Sequence, residues 1–117
     1  MYEYKATLLK VIDADTIDVS IDLGFDISIS QRVRLLGINT AEKNTALGIE
    51  SAGFVRNLIP TGTKLILQSE KDKKEKFGRY LARVILDNGT CLNDLLIEKR
   101  YAVEYWGIGK KEDFVPK

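Results

Sequence analysis

Three short stretches of this 117-residue sequence hold residue types that do chemistry together. The first is Asp13-Ala14-Asp15-Thr16. Asp15 keeps the spacing of Ile17, Val19 and Ile21, the apolar face of a strand, and an ionised carboxylate turned inward is costly unless it is paired or holds a cation. The other reading, the usual one for an isolated Asp at a turn, breaks the phase there and leaves Asp15 solvated. The second stretch runs from Arg34 to Glu42 and sets an arginine among apolar neighbours, with Asn39, Thr40 and Glu42 at the strand's end. A planar guanidinium suits phosphate because it donates two parallel hydrogen bonds. Equally, Arg34 pairs with an acidic strand neighbour, Asn39 and Thr40 shape a turn, and Glu42 sits in water. The third stretch, Lys76-Phe77-Gly78-Arg79, closes a charged run that from Glu70 to Arg79 has five basic and three acidic residues. Such a run is usually a solvated face, although Gly78 would let backbone approach a ligand closely.

Composition narrows the chemistry. The sequence has no histidine, which excludes Ser-His-Asp and Cys-His nucleophile systems and histidine acid–base catalysis. A single cysteine, Cys91, excludes an internal disulfide and a cysteine-cluster metal site. Any metal would therefore take oxygen ligands, with Ca²⁺, Mg²⁺ or Mn²⁺ first. The net charge of +1 does not by itself announce a nucleic-acid binder, so a polyanion site must come from local arrangement. No apolar run approaches the roughly 20 residues of a membrane span. The N-terminal residues lack a signal-peptide layout, so a cytoplasmic location is the default expectation.

The elements that must position these residues read as mostly β. Ala6 to Ile12 is a strand closed by Asp13-Ala14-Asp15, and Thr16 onward alternates apolar and polar residues. Leu23-Gly24 turns the chain into a second alternating run, from Phe25 through Val33 and Leu35 to about Ile38. A loop is expected from Asn39 to Gly48 and a helix from Ile49 to Ile59, stopped by Pro60 and Gly62. Lys64 to Ser69 reads as a strand, the charged run after it as an exposed loop, and Arg79 to Asp87 as a strand ended by the Asn88-Gly89 turn. Leu92 to about Lys99 reads as a helix, and the tail from 107 to 117 is expected to fray. With 44% hydrophobic residues and no linker, this predicts one domain over residues 1–117. Five strands with this alternation close most simply into a barrel, with an open α+β sheet as the alternative.

Taken together, Asp13-Ala14-Asp15-Thr16, Arg34-Leu35-Leu36-Gly37-Ile38-Asn39-Thr40-Ala41-Glu42 and Lys76-Phe77-Gly78-Arg79 occur in the order and spacing of a known pattern. The sequence resembles the staphylococcal nuclease (thermonuclease) family over about residues 5–106. The resemblance implies a mainly β fold, an OB-fold five-stranded antiparallel β-barrel with two to three packed helices. It implies a Ca²⁺-dependent phosphodiesterase acting on DNA and/or RNA, and a monomer is the separate default expectation. Asp15 matches that family's metal carboxylate, and Thr40 the residue whose backbone carbonyl binds the metal. Glu42 matches the general base or water-orienting residue, and Arg34 and Arg79 match the phosphate-binding arginines. Lys76 falls where the family contacts a terminal phosphate. Asn39 stands where the best-known member has a second metal-binding aspartate, and its amide oxygen can ligate Ca²⁺ without adding charge. Ala41 replaces a proline and Phe77 a tyrosine, while Trp106 offers a stacking ring near the family's nucleotide-facing tyrosines. Core packing is the commoner role for a lone Trp. The competing class is a non-catalytic OB-fold module that binds nucleic acid or protein with a weakened metal site. The joint presence of Asp15, Arg34, Glu42 and Arg79 favours the nuclease.

Overall fold

The alternating apolar positions close into one sheet in a computed structural model that describes residues 2–74 and 80–105. Lys76, Phe77, Arg79, Trp106 and the tail expected to fray lie outside the described residues. In chain order the elements are β1 (Tyr2–Asp13), β2 (Thr16–Asp22), β3 (Ser28–Leu35), β4 (Ile38–Thr40), α1 (Ala46–Leu58), β5 (Lys64–Lys74), β6 (Tyr80–Ile85), α2 (Leu92–Glu98) and β7 (Ala102–Glu104). The ring runs β1-β2-β3-β6-β5 and back to β1. Every pairing in it is antiparallel except β3–β6, where Val33 pairs with Tyr80 in parallel. That one departure from an all-antiparallel barrel follows from the long crossover through α1 and β5.

Inside the ring lie Leu8, Ile17, Val19, Val33, Leu35 and Val84, all essentially inaccessible to water. Each such side chain contributes about 2 kcal/mol through burial. From the helices, Val55 and Leu92 and Leu96 join the same core. The β1–β2 register slips twice, and the second slip, between Val11 and Asp13, comes just before the first carboxylate. A slip of this kind kinks the strand and re-aims the residues beyond it.

Four expectations change. The run from Phe25 to Ile38 is not continuous: Phe25 and Asp26 have φ of 54° and 61° and form the hairpin turn, with Phe25 99% exposed. The same run breaks again at Leu36-Gly37, where Gly37 at φ 81° takes the left-handed conformation glycine tolerates, and resumes as the short β4, paired with β7. Asn39 and Thr40 are therefore strand residues, not loop. The first helix starts at Ala46 and buries its small face, Gly48, Ser51, Ala52 and Val55, whereas Ile49 is 63% exposed. Finally, β5 does not end at Ser69 but pairs on to Lys74, opposite Tyr80, after a register break. The chain thus stays in strand form to Lys74 despite its charge, which composition alone does not reveal.

Candidate active site

Asp15 lies in phase with Ile17 and Val19 and is 8% exposed, so the inward reading is the one the fold adopts. The β1–β2 turn holds it there by its backbone, since Leu35 N donates to the Asp15 carbonyl at 2.8 Å. Around its carboxylate, Thr16 Oγ1 donates to Oδ1 at 3.1 Å, and Arg34 Nη2 and Thr40 N each reach Oδ2 at 3.4 Å. Burial alone would push the Asp15 carboxyl up. Asp13, the Arg34 guanidinium, Thr40 and Thr16 outweigh it and hold the group below its ordinary value.

Arg34 ties this carboxylate to the strand end. Its Nη1 donates to the carbonyls of Leu35 at 3.4 Å and Ile38 at 3.0 Å, wrapping the turn between β3 and β4. Its Nη2 reaches Asn39 Oδ1 at 3.2 Å as well as Asp15. Both terminal nitrogens are thus engaged with protein oxygens, and the residue is 7% exposed. Asp15, Arg34, Asn39 and Thr40 are brought together as one buried cluster. Glu42 is exposed two residues beyond Thr40, on the connection from β4 to α1.

Asp13 is the residue that sequence reasoning passed over. Its Oδ1 is buried and has no hydrogen-bond partner. Its carboxyl is pushed up to about 6, first by burial, then by the hydrogen bond and the charge of Asp15 beside it. Two adjacent carboxylates in the Asp-x-Asp spelling were the available signal, but the β1 slip that turns Asp13 toward Asp15 has no mark in the sequence.

The donors fit a hard cation in kind, since every atom on offer is an oxygen and one of them is orphaned. They fit it thinly in charge. Among the described residues no three of Asp, Glu, Cys and His gather as a metal-holding group. A cation here would depend on two carboxylates and on neutral oxygens from Asn39 and Thr40.

A small closed barrel with a buried carboxylate–guanidinium knot and oxygen donors at one strand end defines the class of domain. A family model described as Staphylococcal nuclease homologue matches residues 32–114, more than half of the chain, and the chain belongs to that family. Its five-stranded barrel is the OB-fold expected of such a domain. Among curated relatives, Endonuclease YhcR of Bacillus subtilis strain 168 is 26% identical over 126 residues, covering 96% of this chain and 10% of that protein. An uncharacterised endonuclease of Escherichia coli O157:H7 is 26% identical over 98 residues, covering 84% of this chain and 59% of its own length. An uncharacterised protein of Methanocaldococcus jannaschii is 27% identical over 128 residues, covering 87% and 59%. The chain thus spans between a tenth and about three-fifths of the relatives it matches. Among the described residues no helix is long and apolar enough to cross a membrane.

Proposed function

We propose that this chain is a divalent-cation-dependent nuclease that hydrolyses phosphodiester bonds of DNA and/or RNA, with Ca²⁺ as the first candidate cation. The observation that carries this reading is the Asp15–Arg34–Asn39 knot with the orphaned Asp13 oxygen beside it, in a chain of a nuclease family. Asp15, Asn39 and the backbone carbonyl of Thr40 would hold the cation, with Asp13 adding charge next to them. When bound, the cation supplies positive charge against a phosphate oxygen as negative charge builds in the five-coordinate transition state. Glu42 takes a proton from the attacking water, whose oxygen forms the new bond to phosphorus as the bond to the leaving oxygen breaks and that oxygen takes up a proton from solvent. Arg79 and Arg34 donate to the remaining phosphate oxygens. Arg34 must exchange a protein oxygen for phosphate to do so, since both of its Nη atoms are already engaged. Lys76, Phe77 and Trp106 contribute contacts to the nucleotide.

The test is degradation of single-stranded DNA, duplex DNA and RNA with Ca²⁺, against EDTA and a Glu42→Gln control. Cleavage that needs both the metal and Glu42 is expected. Full cleavage in EDTA, or by the Glu42→Gln protein, would overturn the assignment. A second reading draws on the neutral Asn39 and the internally engaged Arg34: a module that binds nucleic acid without cutting it. Retained binding with no cleavage would favour that module over the nuclease.

A further inference from the structure

Glu42 stands at the hand-over from β4 to α1, and two uncharged residues set the geometry of that hand-over. The Glu42 carbonyl oxygen accepts from Thr45 twice, from the backbone N at 3.0 Å and from Oγ1 at 2.7 Å. The same Thr45 oxygen accepts from Gly48 N at 3.0 Å, in the extended conformation of a helix N-cap. A hydroxyl donates once and accepts at the same atom, so one oxygen closes the helix on one side and grips the loop on the other. Gly48 completes the grip by what it lacks. A Cβ built there would lie 1.8 Å from the Glu42 carbonyl oxygen and 2.6 Å from its carbonyl carbon. The first turn of α1 therefore rests directly on the Glu42 peptide, a contact that only glycine permits. Behind it, the fully buried Ser51 donates from Oγ to the Gly48 carbonyl at 3.1 Å.

We propose that Thr45 and Gly48 are positioning residues for Glu42. They fix the peptide that follows its Cα, so the side chain leaves an exposed connection from a set direction instead of swinging with it. The inference rests on the role given to Glu42 above. Placement of this kind acts on turnover, because a displacement of about 1 Å can slow a reaction by up to roughly 10²-fold.

A plain helix cap would account for Thr45 equally well, and three variants separate the two roles. Thr45→Asp keeps a strong N-cap and adds favourable charge at the helix start, but its carboxylate has no proton for the Glu42 carbonyl. Thr45→Ser keeps both bonds. Gly48→Ala improves helix propensity while driving a methyl group into the Glu42 peptide. With Ca²⁺ and single-stranded DNA, Thr45→Asp and Gly48→Ala are expected to lower kcat about tenfold or more with KM within about twofold, the pattern of an interaction made only in the transition state. Thr45→Ser is expected to stay near wild-type, and the melting temperature of Thr45→Asp to equal or exceed wild-type. A folded Thr45→Asp protein with unchanged kcat, beside a Glu42→Gln protein that has lost activity, overturns this inference alone. Unchanged kcat in Glu42→Gln overturns it together with the assignment of Glu42. Should Gly48→Ala fail to fold, the two Thr45 variants still decide.

Discussion

Asp13 is stabilising in one protonation state and costly in the other. A carboxyl raised to about 6 binds its proton more tightly in the folded protein than in the unfolded chain, so the cation-free protein gains stability as pH falls through 6 toward 3.8 and loses it as pH rises. Asp15 and Asp18 are both lowered and titrate below 3.8, outside that window. In EDTA at pH 8, Asp13→Asn should therefore melt above wild-type, by on the order of 1 kcal/mol after discounting for the group's partial exposure. At pH 5 the advantage should shrink, because wild-type Asp13 is then mostly protonated. Thermal melts at the two pH values check this, and a variant no more stable at pH 8 removes the account of Asp13 as a carboxyl raised by burial and by Asp15 beside it. Asn39 gives the complementary case. Replacing it with Asp adds charge to a donor set that has only two carboxylates, so Ca²⁺ should bind roughly tenfold more tightly. A calcium titration showing no gain would count against Asn39 as a ligand. The sequence made Asp15, Arg34, Asn39 and Thr40 legible as site candidates because their types and spacing carry the chemistry. It did not disclose that Arg34 wraps its own strand end, since hydrogen bonds to the carbonyls of Leu35 and Ile38 are made with backbone that every residue shares.

The five barrel strands and both helices followed from periodicity, while their ends did not, and the short β4 and β7 are too brief to carry a periodic signal. Ile49 looked like the first residue of an apolar helix face, yet the buried face is built of small residues, and the Thr45 cap lies four positions earlier. The hydrophobic signal is weak where close packing requires glycine, serine and alanine. A further joint, Asn93, is invisible in the pattern. From the first turn of α2 its Nδ2 donates to Leu36 O at 2.8 Å and Ala82 O at 3.2 Å, and its Oδ1 accepts from Val84 N at 3.0 Å. It is 1% exposed and ties the β3–β4 turn, hence Asn39 and Thr40, to β6. Ala82 O retains a second partner in Leu36 N, but Asn93→Ala leaves Val84 N and Leu36 O without this bond inside the protein. At about 1–3 kcal/mol for each buried group left unsatisfied, the loss should be about 3 kcal/mol. That corresponds to a fall in Tm of roughly 10 °C, readable by calorimetry. A fall of only a degree or two would mean that water replaces the amide.

The span over which the family is recognised and the span that folds are different lengths of chain. The match begins at Arg32, within β3, and leaves out β1 and β2. Those two strands bring Asp13 and Asp15 to the site, and they also close the barrel, since β1 pairs with β5 on one side and β2 with β3 on the other. Without them β3 and β5 would each present an unpaired edge, and Val33, Leu35, Leu65 and Leu67 would lose the interior they pack into. Exposed edges beside apolar surface are templates for aggregation rather than for a smaller fold. A chain starting at Ser28 should therefore show no cooperative thermal transition and should aggregate, whereas the 117-residue chain should melt in one step. Circular dichroism melts of the two at equal concentration decide it. A cooperative transition in the shortened chain would mean that β3, β5 and β6 with the helices form a sufficient core, and that β1 and β2 serve the site alone.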